Sequence, residues 1–317
     1  MVPSLPIPAE IRPHLVRLRD LIRAAGANAF LRAPLVTPED GWFPDPWTAD
    51  LESVRRQLFR LAGYAGLGNL GIEVVAFSNT SSEAKVPAAL VPAAAASPGA
   101  AAHYRGIHDG SAWFGVPRSF LGTPACLVEA LAHEIAHAWR EVHGVRVDNR
   151  RREEELTDLT TVFLGFGVLT CDNSYRYESS GTQRGLSAST TWSHKGYGYL
   201  SVEVMSGLLA VWTSVLRIDP HEVRRHLAPT QADLFERAGA WCDAAVLRAR
   251  LGLPADVDWE PACDGATDRE IPRGAMARAI HEVTAASVAQ VGEDGGVLEA
   301  PIPLRVPAQA GRYRPLA

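Results

Sequence analysis

The segment Leu131-Ala-His-Glu-Ile-Ala-His-Ala-Trp139 decides how this chain is read. Its histidines, His133 and His137, stand four positions apart. On an α-helix that spacing is about one turn, so both imidazoles leave the same face and can share one metal ion. Glu134 lies about 100° around the axis from His133. It is poorly placed to bind the same ion but well placed to face a water held there.

Working outward, the segment needs a helix, and its flanks supply one. Thr123-Pro124 is a helix start, with a capping hydroxyl and a proline whose missing N–H costs nothing in the first turn. Gly144 is a stop, so the helix is expected to run to about His143. Ala130, Leu131, Ile135 and Ala138 supply the apolar packing around the histidines. A catalytic metal centre takes a third protein ligand and keeps one position open. Two candidates compete. In Glu153-Glu154-Glu155-Leu-Thr-Asp158, Glu154 and Asp158 are four apart and share a helix face, so Glu154 can bind the ion while Asp158 accepts the N–H of a ligand histidine and fixes its tautomer. His143 is the other candidate, six residues after His137. That is where the metzincin class places its third histidine, but metzincins turn the chain back to the metal with a glycine three residues after the second histidine, and Arg140 stands there, so a continuing helix would carry His143 away. Glu154 is the expected ligand.

The rest of the chain reads as mostly helical. Helices are expected around Leu15–Ile22 with a stop near Gly26, over Thr48–Ala65, from Glu153 to about Val168, over Ser201–Leu216, Pro220–His226 and Thr230–Leu251, and from about Arg273 to Gln290. The helix at 230 opens with Thr230 and Asp233, a capping-box-like pair. Leu70–Phe77 and Ser111–Val116 read as strands. Between them, Ser78 to about Tyr104 is Ala/Pro/Ser-rich and reads as a mobile loop. Cys171–Gly198 reads as a long irregular segment, and the tail from Val291 as poorly ordered. The expected class is α+β, mostly helical. A small N-terminal sheet lobe (1–145) carries the metal helix, a helical C-terminal lobe (146–290) brings the third ligand, and a tail covers 291–317.

Composition closes off other classes. The 317 residues are 47% hydrophobic and 21% charged, with net charge −5, which argues against wholesale disorder and against a dedicated nucleic-acid binder. No apolar run approaches the ~20 residues that span a bilayer, so no membrane partner is expected. The opening residues, with Pro3, Pro6 and Pro8, lack the basic and then apolar pattern of a secretion signal. Cys126, Cys171, Cys242 and Cys263 match no metal or disulfide framework and read as small buried residues. The expected setting is cytoplasmic. Trp42, Trp47, Trp113, Trp139 and Trp212 read as core or groove anchors. Arg150-Arg151-Arg152 reads as a solvated turn or an anion contact, and His103, His108, His221 and His226 as surface residues.

His133-Glu134-x-x-His137 followed by Glu154-x-x-x-Asp158 resembles the gluzincin class of zinc metallopeptidases, over about residues 110 to 168. The TDLTTVFLGFG and GYLS segments also look like uncharacterised bacterial HExxH proteins as a group. The gluzincin resemblance implies a zincin-like fold, a zinc ion, Glu134 as general base and an edge strand that pairs with extended substrate; Ser111–Val116 lies where that strand would be. The chain lacks the Gly-Ala-Met-Glu-Asn-type substrate motif of the aminopeptidase branch. The class also implies a Tyr, His or Arg that stabilises the oxyanion. In Trp192-Ser-His194-Lys-Gly-Tyr197-Gly-Tyr199-Leu-Ser201, polar donors sit between glycines, and His194 and Tyr199 are the candidates. The expected function is zinc-dependent hydrolysis of an amide or peptide-type bond. The alternative is a small-molecule metalloenzyme of specialised metabolism with zinc or Fe2+, since two histidines and a carboxylate also form the triad of non-haem iron oxygenases.

Overall fold

The computed structural model describes residues 7–77, 101–173, 176–184, 187–195, 199–255, 269–270 and 305–306, with backbone alone for 173, 176–184, 187–195 and the last two pairs. Near the N-terminus are α1 (Arg12–Ala25), α2 (Ala27–Leu31) and α3 (Leu51–Tyr64). The α1 helix buries Leu15, Leu18, Leu21 and Ile22 and stops at Gly26, as its apolar spacing predicts. For α3 the cap is Asp50, whose carboxylate accepts from the Ser53 N–H at 2.8 Å.

Three strands follow: β1 (Gly71–Phe77), β2 (His103–His108) and β3 (Ser111–Pro117). The order is β1-β3-β2, with β1 and β3 parallel and β2 antiparallel at the edge. This corrects two expectations. The loop read up to Tyr104 ends earlier, because 103–108 is a strand; residues 78–100 lie outside the described residues. The strand at Ser111 is central, so its edges are taken and the free edge nearest the helix of His133 and His137 belongs to β2. Asp109 (φ 51°) and Gly110 (φ 79°) join β2 to β3 in a two-residue turn with both φ positive, the hairpin geometry that matches strand twist.

The helix α4 (Pro124–Val142) carries both histidines and packs on α3, β2, α5 (Arg150–Phe163) and α6 (Gly167–Asn173). Leu127, Leu131, Ile135 and Ala138 are fully buried, and each large aliphatic side chain so placed contributes about 1.5–3 kcal/mol. Thr123 does not cap α4; its hydroxyl donates to Phe120 O at 3.1 Å, and Pro124 alone marks the start. The end is a Schellman motif: Val145 N–H bonds Arg140 O (2.8 Å), Gly144 N–H bonds Glu141 O (3.1 Å), and Gly144 has φ +66°. Asn149 caps α5 by accepting from Arg152 N–H at 3.1 Å. Thus Arg150, Arg151 and Arg152 are the first helical turn rather than a turn leading to it. The expected helix to Val168 breaks at Gly165 (φ +82°), where Phe166 N–H reaches Thr161 O in a second Schellman motif.

Where an irregular segment was expected, α6 runs on to Asn173, and β4 (Arg176–Arg184) pairs antiparallel with β5 (Ser187–Lys195). Ser201 then caps α7 (Val202–Val215), and α8 (Pro220–Arg224) follows. The helix expected over Thr230–Leu251 is two: α9 (Pro229–Gly239), whose cap position holds Ala228 rather than a Thr230 capping box, and α10 (Ala244–Leu251), capped by Asp243. Beyond it, β6 (Arg269–Glu270) pairs with β7 (Arg305–Val306), while the helix expected over 273–290 and most of the tail lie outside the described residues.

The described residues are α+β and mostly helical, with buried side chains forming one cluster from Ile7 to Leu253. None of their helices is long and apolar enough to cross a membrane. Trp42, Trp139 and Trp212 are core residues, with Trp47 and Trp113 half-buried. Cys171 is buried, Cys126 and Cys242 are only partly so, and Cys263 lies outside the described residues. His103 and His226 prove partly buried rather than surface residues.

Candidate metal centre

The facing turns of α4 and α5 bring three side chains together. His133 Nε2 is 3.3 Å and His137 Nε2 is 3.1 Å from the same oxygen, Glu154 Oε2. One ligand atom from each of the three lies within 4.8 Å of the others, the geometry of a site that can hold a metal ion. A tetrahedral ion with ligands at 2.0–2.1 Å sets them about 3.3 Å apart. The donor set fits as well: two imidazole nitrogens and a carboxylate oxygen converge on one point, and a shared cation would satisfy all three. The side chains of the cluster stay partly exposed, at 17%, 16% and 15%.

Hydrogen bonding orders the rings. Asp158, only 3% exposed, takes His133 Nδ1 at 2.8 Å on Oδ1. Its other oxygen accepts the backbone N–H groups of Tyr199 (2.7 Å) and Leu200 (2.9 Å). With Nδ1–H given to a carboxylate, Nε2 is the His133 atom that faces the site. His137 Nδ1 lies 3.2 Å from Thr157 Oγ1. Burial alone would lower the His133 pKa, but its hydrogen bonds to Asp158 and Glu154 outweigh burial and raise it well above the ordinary imidazole value. For Glu154 burial acts upward, and the two histidine hydrogen bonds overcome it and hold the carboxyl well below its ordinary range. Both shifts describe a pocket that favours positive charge, whether a proton or a metal ion.

The remaining predicted residues fall as follows. Glu134 extends toward the sheet, where its Oε2 accepts the Tyr104 N–H of β2 at 2.6 Å. Tyr199, 41% exposed, stacks on His133 with ring centroids 6.0 Å apart. His194 falls on β5 opposite Tyr177, and its side chain lies outside the described residues. His143 is not in the cluster: it caps the end of α4, its Nδ1 is 2.7 Å from Trp139 O, and its ring stacks on Trp139 at 3.9 Å. Among the described residues, the two histidines find their carboxylate in Glu154.

Three residues escaped the sequence reading. Tyr104 lies over His137 with planes 4° apart and donates its hydroxyl to Glu141 Oε2 at 2.9 Å. Burial, reinforced by that bond, pushes its phenol above the ordinary range. Thr157 and Arg140 stand behind His137. For Thr157 the signal was present, three residues after Glu154 on the same helical face. No local pattern links Tyr104 to His137.

Searches against known protein families, curated proteins and solved structures found no significant match.

Proposed function

We propose that the chain is a zincin-like, zinc-dependent hydrolase that cleaves an amide or peptide-type bond. The observation that carries this reading is the pairing of the His133/His137/Glu154 donor set with Glu134 on the same helix. The antiparallel edge strand β2 packed on the metal helix supports it. When bound, zinc supplies Lewis acidity and makes water a nucleophile at neutral pH, with a pKa of ~7. Glu134 takes the proton from the attacking water and delivers it to the leaving nitrogen. Its bond to the Tyr104 N–H fixes one carboxylate oxygen and so orients the group. Tyr199, stacked on His133, is the donor to the developing oxyanion. Asp158 serves both, holding His133 and fastening the backbone that carries Tyr199.

Purified zinc-loaded protein tested against mixed peptide and acylated small-molecule libraries checks the reading. Glu134→Gln is expected to retain zinc and lose about 10²–10⁴-fold in turnover. Tyr199→Phe should lower kcat with little change in KM. Full turnover in the Glu134→Gln protein would remove Glu134 from its role. The same donor set also suits ferrous iron. Protein purified without added metal distinguishes the two: iron content with oxygen uptake favours a small-molecule oxygenase and contradicts hydrolysis.

A further inference from the structure

Resting on the metal-centre reading, we infer that Arg140 and Thr157 form a positioning pair that sets the ring orientation and tautomer of His137. Arg140 is only 1% exposed, in the last turn of α4. Its Nη1 donates to Glu153 O (2.9 Å) and to Thr157 Oγ1 (2.7 Å). Its Nη2 donates to Val145 O (3.1 Å) and meets the Glu153 carboxylate at 2.8 Å. The guanidinium is thereby tied to the end of α4 and the start of α5, the two helices that supply the ligands.

The consequence falls on Thr157, which is fully buried. A hydroxyl has one proton and two lone pairs. The proton goes to Glu153 O at 2.9 Å, the i−4 bond common for threonine in helices. Arg140, which can only donate, occupies one lone pair. What remains toward His137 Nδ1 at 3.2 Å is the other lone pair, an acceptor. The nitrogen on the Thr157 side of the ring, Nδ1, therefore carries a proton, which leaves Nε2, the atom facing Glu154 Oε2 at 3.1 Å, as the one to bind an ion. Arg140 makes this outcome robust because its N–H competes for Oγ1 only as a donor. The two ligand histidines thus reach one tautomer by different means: a carboxylate for His133 and an arginine-backed hydroxyl for His137.

A pair that merely joined two helices would affect folding but not metal affinity, and three variants separate the cases. Thr157→Val removes the hydroxyl at nearly constant volume, Thr157→Ser keeps it, and Thr160→Val removes another buried α5 hydroxyl, one that bonds Leu156 O. Zinc dissociation constants are read by chelator competition. Thr157→Val should bind about 10–100-fold more weakly than wild type, with Thr157→Ser and Thr160→Val within about threefold of it. Long-range imidazole ¹H–¹⁵N spectra of the zinc-loaded wild type should show His137 protonated on Nδ1 and ligating through Nε2. Equal zinc affinity in wild type and Thr157→Val overturns the inference. So does zinc ligation through Nδ1 of His137 in wild type, a readout that holds even if the valine variant fails to fold. Wild-type protein that takes up no zinc overturns the metal-centre reading and this inference with it. Zinc uptake without hydrolysis strikes only the catalytic reading, and the Thr157 comparison still decides this one.

Discussion

Asp158 shows how much one buried carboxylate does here. One oxygen holds His133 and the other holds the backbone at Tyr199 and Leu200, so the ligand and the residue stacked on it share one anchor. Asp158→Ala is expected to weaken zinc binding about 10–100-fold. It should also speed amide exchange at Tyr199 and Leu200, read by hydrogen–deuterium exchange; protection unchanged at both would contradict the shared anchor. The charge balance predicts a pH dependence for the metal-free protein. His133 is raised from 6.5, so its stabilising contribution is full below that value and is lost as pH rises through the raised folded value. Glu154 is lowered from 4.5, so its contribution is full above that value and is lost as pH falls through the lowered folded one. The cluster thus stabilises the metal-free fold most between these ordinary values of 4.5 and 6.5, as urea titrations across pH would show. Zinc bound at the cluster would displace the His133 proton, so its affinity is expected to rise with pH and its binding to release protons, measurable by calorimetry in buffers of different ionisation enthalpy. The cluster and its Asp158 support were readable because helical spacing is local: four residues from His133 to His137, and four from Glu154 to Asp158. Tyr104 and Arg140 act through contacts across elements, which no spacing encodes.

Elements with a single apolar stripe and a glycine stop, such as α1 and α4, match expectation closely because periodicity and terminator agree. Those that differ do so for identifiable reasons. The β2 sequence HYRGIH has no clean apolar alternation and is interrupted by an irregular register between Tyr104 and Ile107. The Asp109-Gly110 pair was nonetheless a hairpin signal in plain view. The β4 and β5 strands are rich in Ser and Thr, so hydropathy separates them poorly from loop. The break after α5 was marked by Gly165, which looks like any helical glycine until its surroundings are known. A Cβ there would stand 1.8 Å from Pro34 O, at φ +82°. Gly144 has φ +66° but nothing within 4 Å of such a Cβ. Gly165→Ala is therefore expected to cost about 3 kcal/mol, left-handed strain plus a backbone collision. Gly144→Ala should cost about 1 kcal/mol, the strain alone. Denaturant titration of the two variants checks the difference; equal losses would contradict this account of the α5–α6 break.

At the scale of the molecule, the cluster joins two helices embedded in one continuous core, so an ion bound there would be linked to folding. An ion that binds only the native state adds about 2.7 kcal/mol at a free concentration of 100 Kd. Zinc should therefore raise Tm and a chelator should reverse the rise, whereas a His137→Ala protein should show neither. The mostly helical class was legible from composition and periodicity. The sheet order was not, because strand pairing is decided by contacts between distant segments. The centre itself is tested most directly by X-ray absorption at the zinc edge on protein loaded with one equivalent. The account predicts two imidazole nitrogens and carboxylate oxygen at about 2.0–2.1 Å, with the imidazole scattering reduced when His137 is replaced by alanine. A shell containing sulfur at about 2.3 Å, or an unchanged spectrum in that variant, would contradict it.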